Sequence, residues 1–522
     1  MLAADNLLGP YAIVRTGLRP LGMSAGDFDL CAAPDGKGYY FFEWVHSETI
    51  IADLTDDYCG VTGYYSTHFP QAGPPYVREA TAHFVRKGKH YLITSGTTGY
   101  FSNPSQAAAC GISHVFAPVL DVAREPRFGR MNESYGEDET LAAPLGTALT
   151  KGLQSNAGVE AVAKHFLAFH QGAGGLHGAD VSVGERELLE VYAKPFAAAI
   201  ALAGLKGVMP CYNFVNGELV SFSKRYLTDL LRAQLGFDGL AVSDYCAIMN
   251  GVTVNRAAEN ACEAGWRALS AGMDVEQQFP YGFGDELKEK FERGEADVAV
   301  LDAAVLRVLE AKFRKGLFEH PFAKEGALRL FFSESARELS LRSATESFVL
   351  LKNDGVLPLS ARYKKIAVVG YHGGTVRGMF GGYTHLSMAE GLIGAMGTMA
   401  GVDGNEKQTS LPAYPGCRVL REEKLRDAFE ALARRMHPQT RPLTEELRAA
   451  LPDAEIAYAY GYDYAGTDES NFAQALKVCA GADIILLTLG GKNGTGAMNT
   501  MGENVNSTEI GLPPRSRSLS RK

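Results

Sequence analysis

The pattern of apolar and polar positions changes period across residues 225–245. Leu227, Leu230, Leu231 and Leu235 recur at helical spacing, and Gly236 offers the left-handed conformation that stops a helix. Leu240-Ala241-Val242 is then a short continuous apolar run, as expected of a central parallel strand covered on both faces. Ser243-Asp244-Tyr245 follows, so a carboxylate is delivered at the strand's C-terminal end. The commoner role of a strand-end Asp is to cap the next helix; the alternative is a catalytic acid at the mouth of an α/β barrel. Further candidate strands lie at 114–122, 161–169, 207–215 and 272–276, with helices between them such as 184–203, stopped by Gly204. This alternation predicts a parallel sheet, and polar residues at successive strand ends predict a barrel. Only about five or six βα units fit between 109 and 320, fewer than the eight that close one.

Upstream, residues 1–108 read as β-rich. Tyr39-Tyr-Phe-Phe-Glu-Trp-Val45 and His90-Tyr-Leu-Ile-Thr94 are aromatic and β-branched, and Asp35-Gly36 and Lys87-Gly88 supply turns, which predicts antiparallel blades or a sandwich. Downstream, a charged helical stretch over 323–347 leads into a second α/β region with buried-strand runs at 365–370 and 482–490. The predicted organisation is a β-rich segment 1–108, a barrel 109–322, a helical linker 323–350, a second α/β domain 351–514 and a tail 515–522.

Composition narrows the function classes. A net charge of −9 without a basic cluster argues against nucleic-acid or anionic-membrane partners. No apolar run approaches a membrane span, and the N-terminus lacks a basic region followed by an apolar one, which favours a cytoplasmic location. Eight scattered Cys without a CxxC pair point to reduced thiols.

Four strand ends carry polar groups: Asp121 with Arg124, Arg127 and Arg130; Lys164-His165; Tyr212-Asn213; and Ser243-Asp244-Tyr245. Loops after barrel strands converge on one mouth, so these groups are expected in one pocket. Lys and Arg beside a carboxylate lower its pKa and keep it anionic, as a nucleophile requires. His165, His170 and His177 lack the spacing of a helical metal site, so no metal is expected. Gly370-Tyr-His-Gly-Gly374 lacks the dinucleotide-loop spacing, and no phosphate-cradling loop is present.

Over about 110–511 the chain resembles glycoside hydrolase family 3, the retaining β-glycosidases. The matching stretches are His114-Val-Phe-Ala-Pro-Val-Leu-Asp-Val122, Arg127-Phe-Gly-Arg130, Glu133-Ser-Tyr-Gly-Glu-Asp138, Lys164-His-Phe166, Val208-Met-Pro-Cys-Tyr-Asn213, residues 236–245 and Leu350-Leu-Lys-Asn-Asp-Gly-Val-Leu-Pro-Leu359. The resemblance implies a TIM-like barrel followed by an α/β sandwich that lends a second catalytic acid. It implies that Asp244 is the nucleophile. Arg130, Lys164 and His165 would hold sugar hydroxyls, Tyr212 would support the nucleophile, and Tyr245 would pack against the sugar. The acid/base is expected in the loop 500–514, with Glu503 as the candidate and Glu509 as its rival. Glu503 must be protonated at rest, which calls for a drier or less positive setting than that of Asp244. A covalent route places the two carboxyls about 5–5.5 Å apart and requires no cofactor. The implied partner is an oligosaccharide or aryl glycoside ending in β-glucose or β-xylose.

Residues 1–108 resemble a different family, glycoside hydrolase family 43, whose members are inverting five-bladed β-propellers. The match includes Gly26-Asp-Phe-Asp-Leu30, Ala52-Asp-Leu-Thr-Asp-Asp57, Arg78-Glu-Ala80 and Gly88-Lys-His-Tyr-Leu-Ile-Thr-Ser95. It implies Glu79 as general acid and Asp27 as the acid that tunes it, while the general base has no counterpart here. The early family 3 strands are likewise missing, Leu176 stands where many relatives place a sugar-binding Arg, and Asn506 stands where Asp is common. These departures predict a truncated, fused chain. They leave two alternatives to a β-glycosidase: an inactive or carbohydrate-binding product, or an arabinofuranosidase or xylosidase working through the N-terminal segment.

Overall fold

Apolar runs buried on both faces make the parallel sheet that carries the strand ends. Its members are His114–Val115, Glu160–Phe166, Gly207–Pro210, Leu240–Tyr245 and Val275–Gln277, and each pairs with its neighbour in chain order without reversal. Monotonic order is that of a barrel, since a doubly wound sheet changes direction partway. The computed structural model describes residues 2–3, 12–13, 19–23, 25–33, 35–44, 48–68, 79–86, 89–95, 111–155, 159–319, 322, 334–398, 410–414, 417–420, 423–464, 468–495, 499–503, 505–507, 510–512 and 519. The chain divides into two compact units, Met1–Pro104 and Ser105–Lys522.

The two faces of the Asp244 strand are covered differently. Ala241 joins Leu227, Leu230, Leu231, Ala264 and Ala268 in a cluster with the flanking helices, whereas Leu240 and Val242 pack against Val308 and Ala311 of the helix Val298–Arg314. The second face, which lines the interior of a closed barrel, here rests on a helix. Asp274 fastens this arrangement. It is buried, its Oδ2 accepts from Arg232 Nη2 at 2.7 Å and Ala241 N at 2.8 Å, and its Oδ1 accepts from Arg307 Nε at 2.7 Å. The preceding helix, Arg225–Gln234, buries Tyr226, Leu227, Leu230 and Leu231, and Gly236 stops the chain at φ +74°.

The strand expected at 207–215 pairs only over Gly207–Pro210 and that expected at 161–169 ends at Phe166; two more are shorter than the apolar pattern predicts. The 114–122 run pairs as a strand only over His114–Val115, because Pro118 brings no N–H to the ladder. Val119 and Leu120 rejoin the neighbouring strand at Lys164. The run at 272–276 begins only at Val275, because Gly272 at φ +112° first closes the preceding helix Ala261–Ala271, its N–H reaching Ala268 O and Leu269 O.

The remainder of this unit contains a three-stranded parallel sheet in the order Glu455–Ala459, Lys365–Val369, Ile484–Leu487. Here the order does reverse, so the ends of the central strand and of Ile484–Leu487 form a switch point, where α/β sheets bind ligands. The linker helix is described over Glu334–Glu346.

The unit Met1–Pro104 holds an antiparallel meander of four strands, Ala25–Ala32, Gly38–Trp44, Glu48–Leu54 and Val61–His68, and a hairpin Glu79–Arg86 and Lys89–Ser95. Alternate residues Tyr40, Phe42, Ile50, Ala52 and Leu54 form its core. Asp27 and Glu79 fall within strands, but their side chains lie outside the described residues. Among the described residues no helix is long and apolar enough to cross a membrane.

Asp274→Ala would strand two arginines and a backbone N–H in the core. Stability is expected to fall by about 3 kcal/mol, read as a lower urea midpoint for the barrel unit.

Candidate active site

The strand Leu240–Tyr245 ends with Ser243 tied down and Asp244 left open. Ser243 Oγ accepts from Gln277 N at 2.8 Å and donates to Asp244 O at 3.0 Å. Asp244 Oδ1 accepts from Tyr245 N at 2.7 Å, and Oδ2, though buried, has no hydrogen-bond partner among the described residues. The helix that follows, Ala247–Thr253, starts after Cys246, and the Asp244 carboxylate takes no part in capping it.

Behind Asp244 stands His165, fully buried, with Nε2 at 3.6 Å from Asp244 Oδ2. That same Nε2 lies 3.0 Å from Arg130 Nη2. A guanidinium only donates, so Nε2 is the acceptor and Nδ1 carries the proton, donated to Asp121 Oδ2 at 2.8 Å. Burial, with Arg130 beside it, holds the His165 pKa well below its ordinary value, so the ring is neutral. The Lys164–His165 peptide bond is cis.

Arg130 is 1% exposed, with a partner on each of its three nitrogens. Glu133 accepts from its Nε at 2.8 Å and Nη2 at 2.9 Å, and Glu503 Oε1 accepts from Nη1 at 3.1 Å. Glu503 arrives from the loop beyond the strand Ile484–Leu487. Gly129 lets that loop approach: a Cβ there would lie 2.0 Å from Val505 O and 2.3 Å from Gly502 O. Ser507 N donates to Arg127 O at 3.0 Å, and the Asn506 amide lies against His177 N and Gly175 O. Glu509 lies outside the described residues.

The electrostatics reverse the order that double displacement calls for. Burial raises the pKa of Asp244; Lys164 and Arg130 pull against it, Glu503 adds to it, and the net shift is upward. Burial also pushes Glu503 up, but the charge of Arg130 and hydrogen bonds from His177 and Tyr383 outweigh it and hold the carboxyl at about 2. The directions run against the sequence expectation: Asp244 is shifted up rather than down, and Glu503 is held low rather than raised. Arg130 bonds Glu503 directly, whereas His165 stands between Arg130 and Asp244, on which the charge of Lys164 acts ahead of that of Arg130.

The other predicted residues are distributed unevenly. Lys164 Nζ sits 5.0 Å over the Tyr383 ring, and Tyr245, 42% exposed, meets Phe116 edge-on. Tyr212 OH donates to Tyr245 O at 2.8 Å, so it braces the backbone next to Asp244. Asn213 turns away and donates to Phe169 O at 3.0 Å. Leu176 is exposed. His170 packs on Phe128, with Nε2 at 3.5 Å from Asp121 Oδ2, and no group of three or more metal-ligating side chains is found among the described residues.

Three neighbours were given no role in the pocket from sequence: Glu133, quoted only within a matching stretch; His177, weighed only as a metal ligand, with Nε2 at 3.7 Å from Glu503 Oε1; and Tyr383, whose OH donates to Glu503 Oε2 at 2.6 Å. Only Tyr383 had a local signal, an aromatic after Gly381-Gly382 in the loop beyond a buried strand.

Asp121 supplies a pH test. It is 3% exposed, and burial lifts its carboxyl to about 8 although Arg130 and the His165 N–H oppose the shift. Unfolded, it titrates near 3.9. Between about pH 4 and 8 the folded state therefore keeps a proton that the unfolded chain has released, and the contribution of Asp121 to stability falls as pH rises. Against it, the buried neutral His165 contributes a rise below about pH 6.5. Asp121→Asn is therefore expected to shift the slope of the thermal midpoint against pH upward between about pH 5 and 8 relative to the parent.

Residues 99–311 match the glycosyl hydrolase family 3 N-terminal domain, and residues 348–522 match its C-terminal domain. A β-xylosidase of Formosa agariphila is 35% identical over 304 residues, covering 55% of this chain and 42% of its own. The lysosomal β-glucosidase of Dictyostelium discoideum is 31% identical over 329 residues, covering 60% and 40%. The structure of a Listeria innocua β-glucosidase in complex with glucose superposes with a TM-score of 0.62 at 28% identity, covering 79% of this chain and 50% of that one. The chain thus spans about half the length of that structure and less of the two curated relatives.

Proposed function

The chain belongs to glycoside hydrolase family 3, and from that premise we propose that it is a retaining, exo-acting β-glycosidase that removes terminal β-linked glucose or xylose. The observation that carries the proposal is the open Oδ2 of Asp244, linked through His165 and Arg130 to the Glu503 carboxyl. In the first step Oδ2 attacks the anomeric carbon, the glycosidic C–O bond breaks, and Glu503 gives its proton to the leaving oxygen. In the second, Glu503 takes a proton from water, the water oxygen attacks the anomeric carbon, and the bond to Asp244 breaks. The ionised Glu503 suits the second step. For the first it must gain a proton, which it does when sugar hydroxyls engage Arg130 and loosen the Nη1 bond to Oε1. Lys164, Arg130 and His165 hold hydroxyls, Tyr212 braces the strand end, and Tyr245 offers a face for the sugar ring. The relatives' names, β-xylosidase and β-glucosidase, support the two sugars.

A second reading, binding without turnover, is favoured by the five-stranded sheet, which stops short of a closed barrel. For residues 1–108, the propeller-blade reading rests on the sequence resemblance alone, since a meander followed by a hairpin is common to many antiparallel folds. An arabinofuranosidase or xylosidase activity there would rest on Asp27 and Glu79.

Incubation with 2-fluoro-β-glucosyl and 2-fluoro-β-xylosyl inactivators, followed by peptide mapping, is expected to label the peptide containing Asp244. Absence of label on a folded chain that still binds the sugar would select the second reading. Glu503→Ala is expected to slow hydrolysis of glycosides with poor leaving groups by about 10²–10⁴-fold, to spare dinitrophenyl glycosides in the glycosylation step, and to regain turnover with azide.

A further inference from the structure

Tyr383 lies between the strand Lys365–Val369 and the helix His385–Thr398, at the switch-point edge of the C-terminal sheet. Its turn is pinned to the loop that carries Glu503. Gly382 N donates to Asn493 Oδ1 at 2.6 Å, and Asn493 bridges Met501, two residues before Glu503. The Tyr383 hydroxyl donates to Glu503 Oε2 at 2.6 Å, while its ring stands 5.0 Å from Lys164 Nζ and 5.8 Å from Arg130 Cζ. One side chain thus fixes the carboxyl and roofs the two cations of the barrel mouth.

We propose that Tyr383 is a positioning residue for the acid/base: it holds Glu503 Oε2 throughout the reaction and leaves Oε1 as the oxygen that gives and takes the proton. The proposal rests on the reading of Glu503 as the acid/base. Oε1 faces Arg130 at 3.1 Å and His177 at 3.7 Å, and Oε2 faces Tyr383, with the Asp244 charge also acting on the group. Arg130 can only donate, so its bond to Oε1 disfavours a proton there until Arg130 has turned to the sugar. Tyr383 donates to Oε2 in either state, to a carboxylate oxygen when Glu503 is ionised and to the carbonyl oxygen when it is not. Burial raises the phenol pKa well above its ordinary value, which preserves that donor. The bond to the ionised form is charge-assisted and the stronger of the two, so Tyr383 favours the anion.

The test is Tyr383→Phe, with Glu503→Ala and Asp244→Ala measured alongside. With a poor leaving group such as a methoxyphenyl β-glycoside, kcat/KM is expected to fall about 10- to 100-fold, the scale of a misplaced catalytic group. With a dinitrophenyl glycoside, which needs no acid, it is expected to change less than about 3-fold, and the alkaline limb of the kcat/KM profile is expected to move to higher pH. A ¹³C-carboxyl titration, with Glu503 assigned by difference from Glu503→Gln, reads the same upward shift without turnover. Equal losses on both substrates, or an unmoved Glu503 titration, would overturn the proposal. If Glu503→Ala hydrolyses both substrates like the parent, the acid/base reading itself fails. If Glu503→Ala shows the acid/base pattern and Tyr383→Phe does not, only the Tyr383 inference fails.

Discussion

A single guanidinium decides where everything else in the pocket stands. Arg130 is removed from water, and a buried cation persists only where acceptors surround it. Glu133 takes two of its donors, His165 a third and Glu503 a fourth. Those contacts set the His165 tautomer, draw the C-terminal loop against the barrel, and put both pocket carboxyls under one positive charge. Glu133 therefore has more than a local role, since without it Arg130 would claim Glu503 more completely.

The open sheet is reconciled with stability by its second face. The helix Val298–Arg314 covers Leu240 and Val242, and Asp274 ties that helix, the Asp244 strand and the helix Arg225–Gln234 through one carboxylate. The strand end is thereby held rigidly enough for the unpaired Asp244 Oδ2 to be a feature of position rather than of looseness.

What could be read in advance was local. The Asp244 strand announced itself through a helical period, a glycine stop and a short apolar run, and Lys164-His165 and Arg130 followed from strand ends and motifs. Glu503 was reached only through the family resemblance, since nothing in its flanking residues distinguishes it from Glu509. The roles of Glu133, His177 and Tyr383 beside Arg130 and Glu503 were missed because they are distances in space. The same limit inverted the charge argument. Counting Lys and Arg near Asp244 in sequence gave the wrong carboxyl, because burial acts on both groups while Arg130 Nη1 points at only one of them. Pro118 likewise broke a strand that hydrophobicity alone would have continued.

The bond between Arg130 and Glu503 joins residues 373 apart in sequence. Contacts so remote form only after intervening chain has been ordered, and they are the slow ones in folding. A ribosome that has already released the whole Asp244 strand has still made no pocket, because the second carboxyl comes hundreds of residues later. The growing chain thus carries Asp244 through some 259 further residues before Glu503 can stand near it, and the pocket is assembled only when that later segment docks.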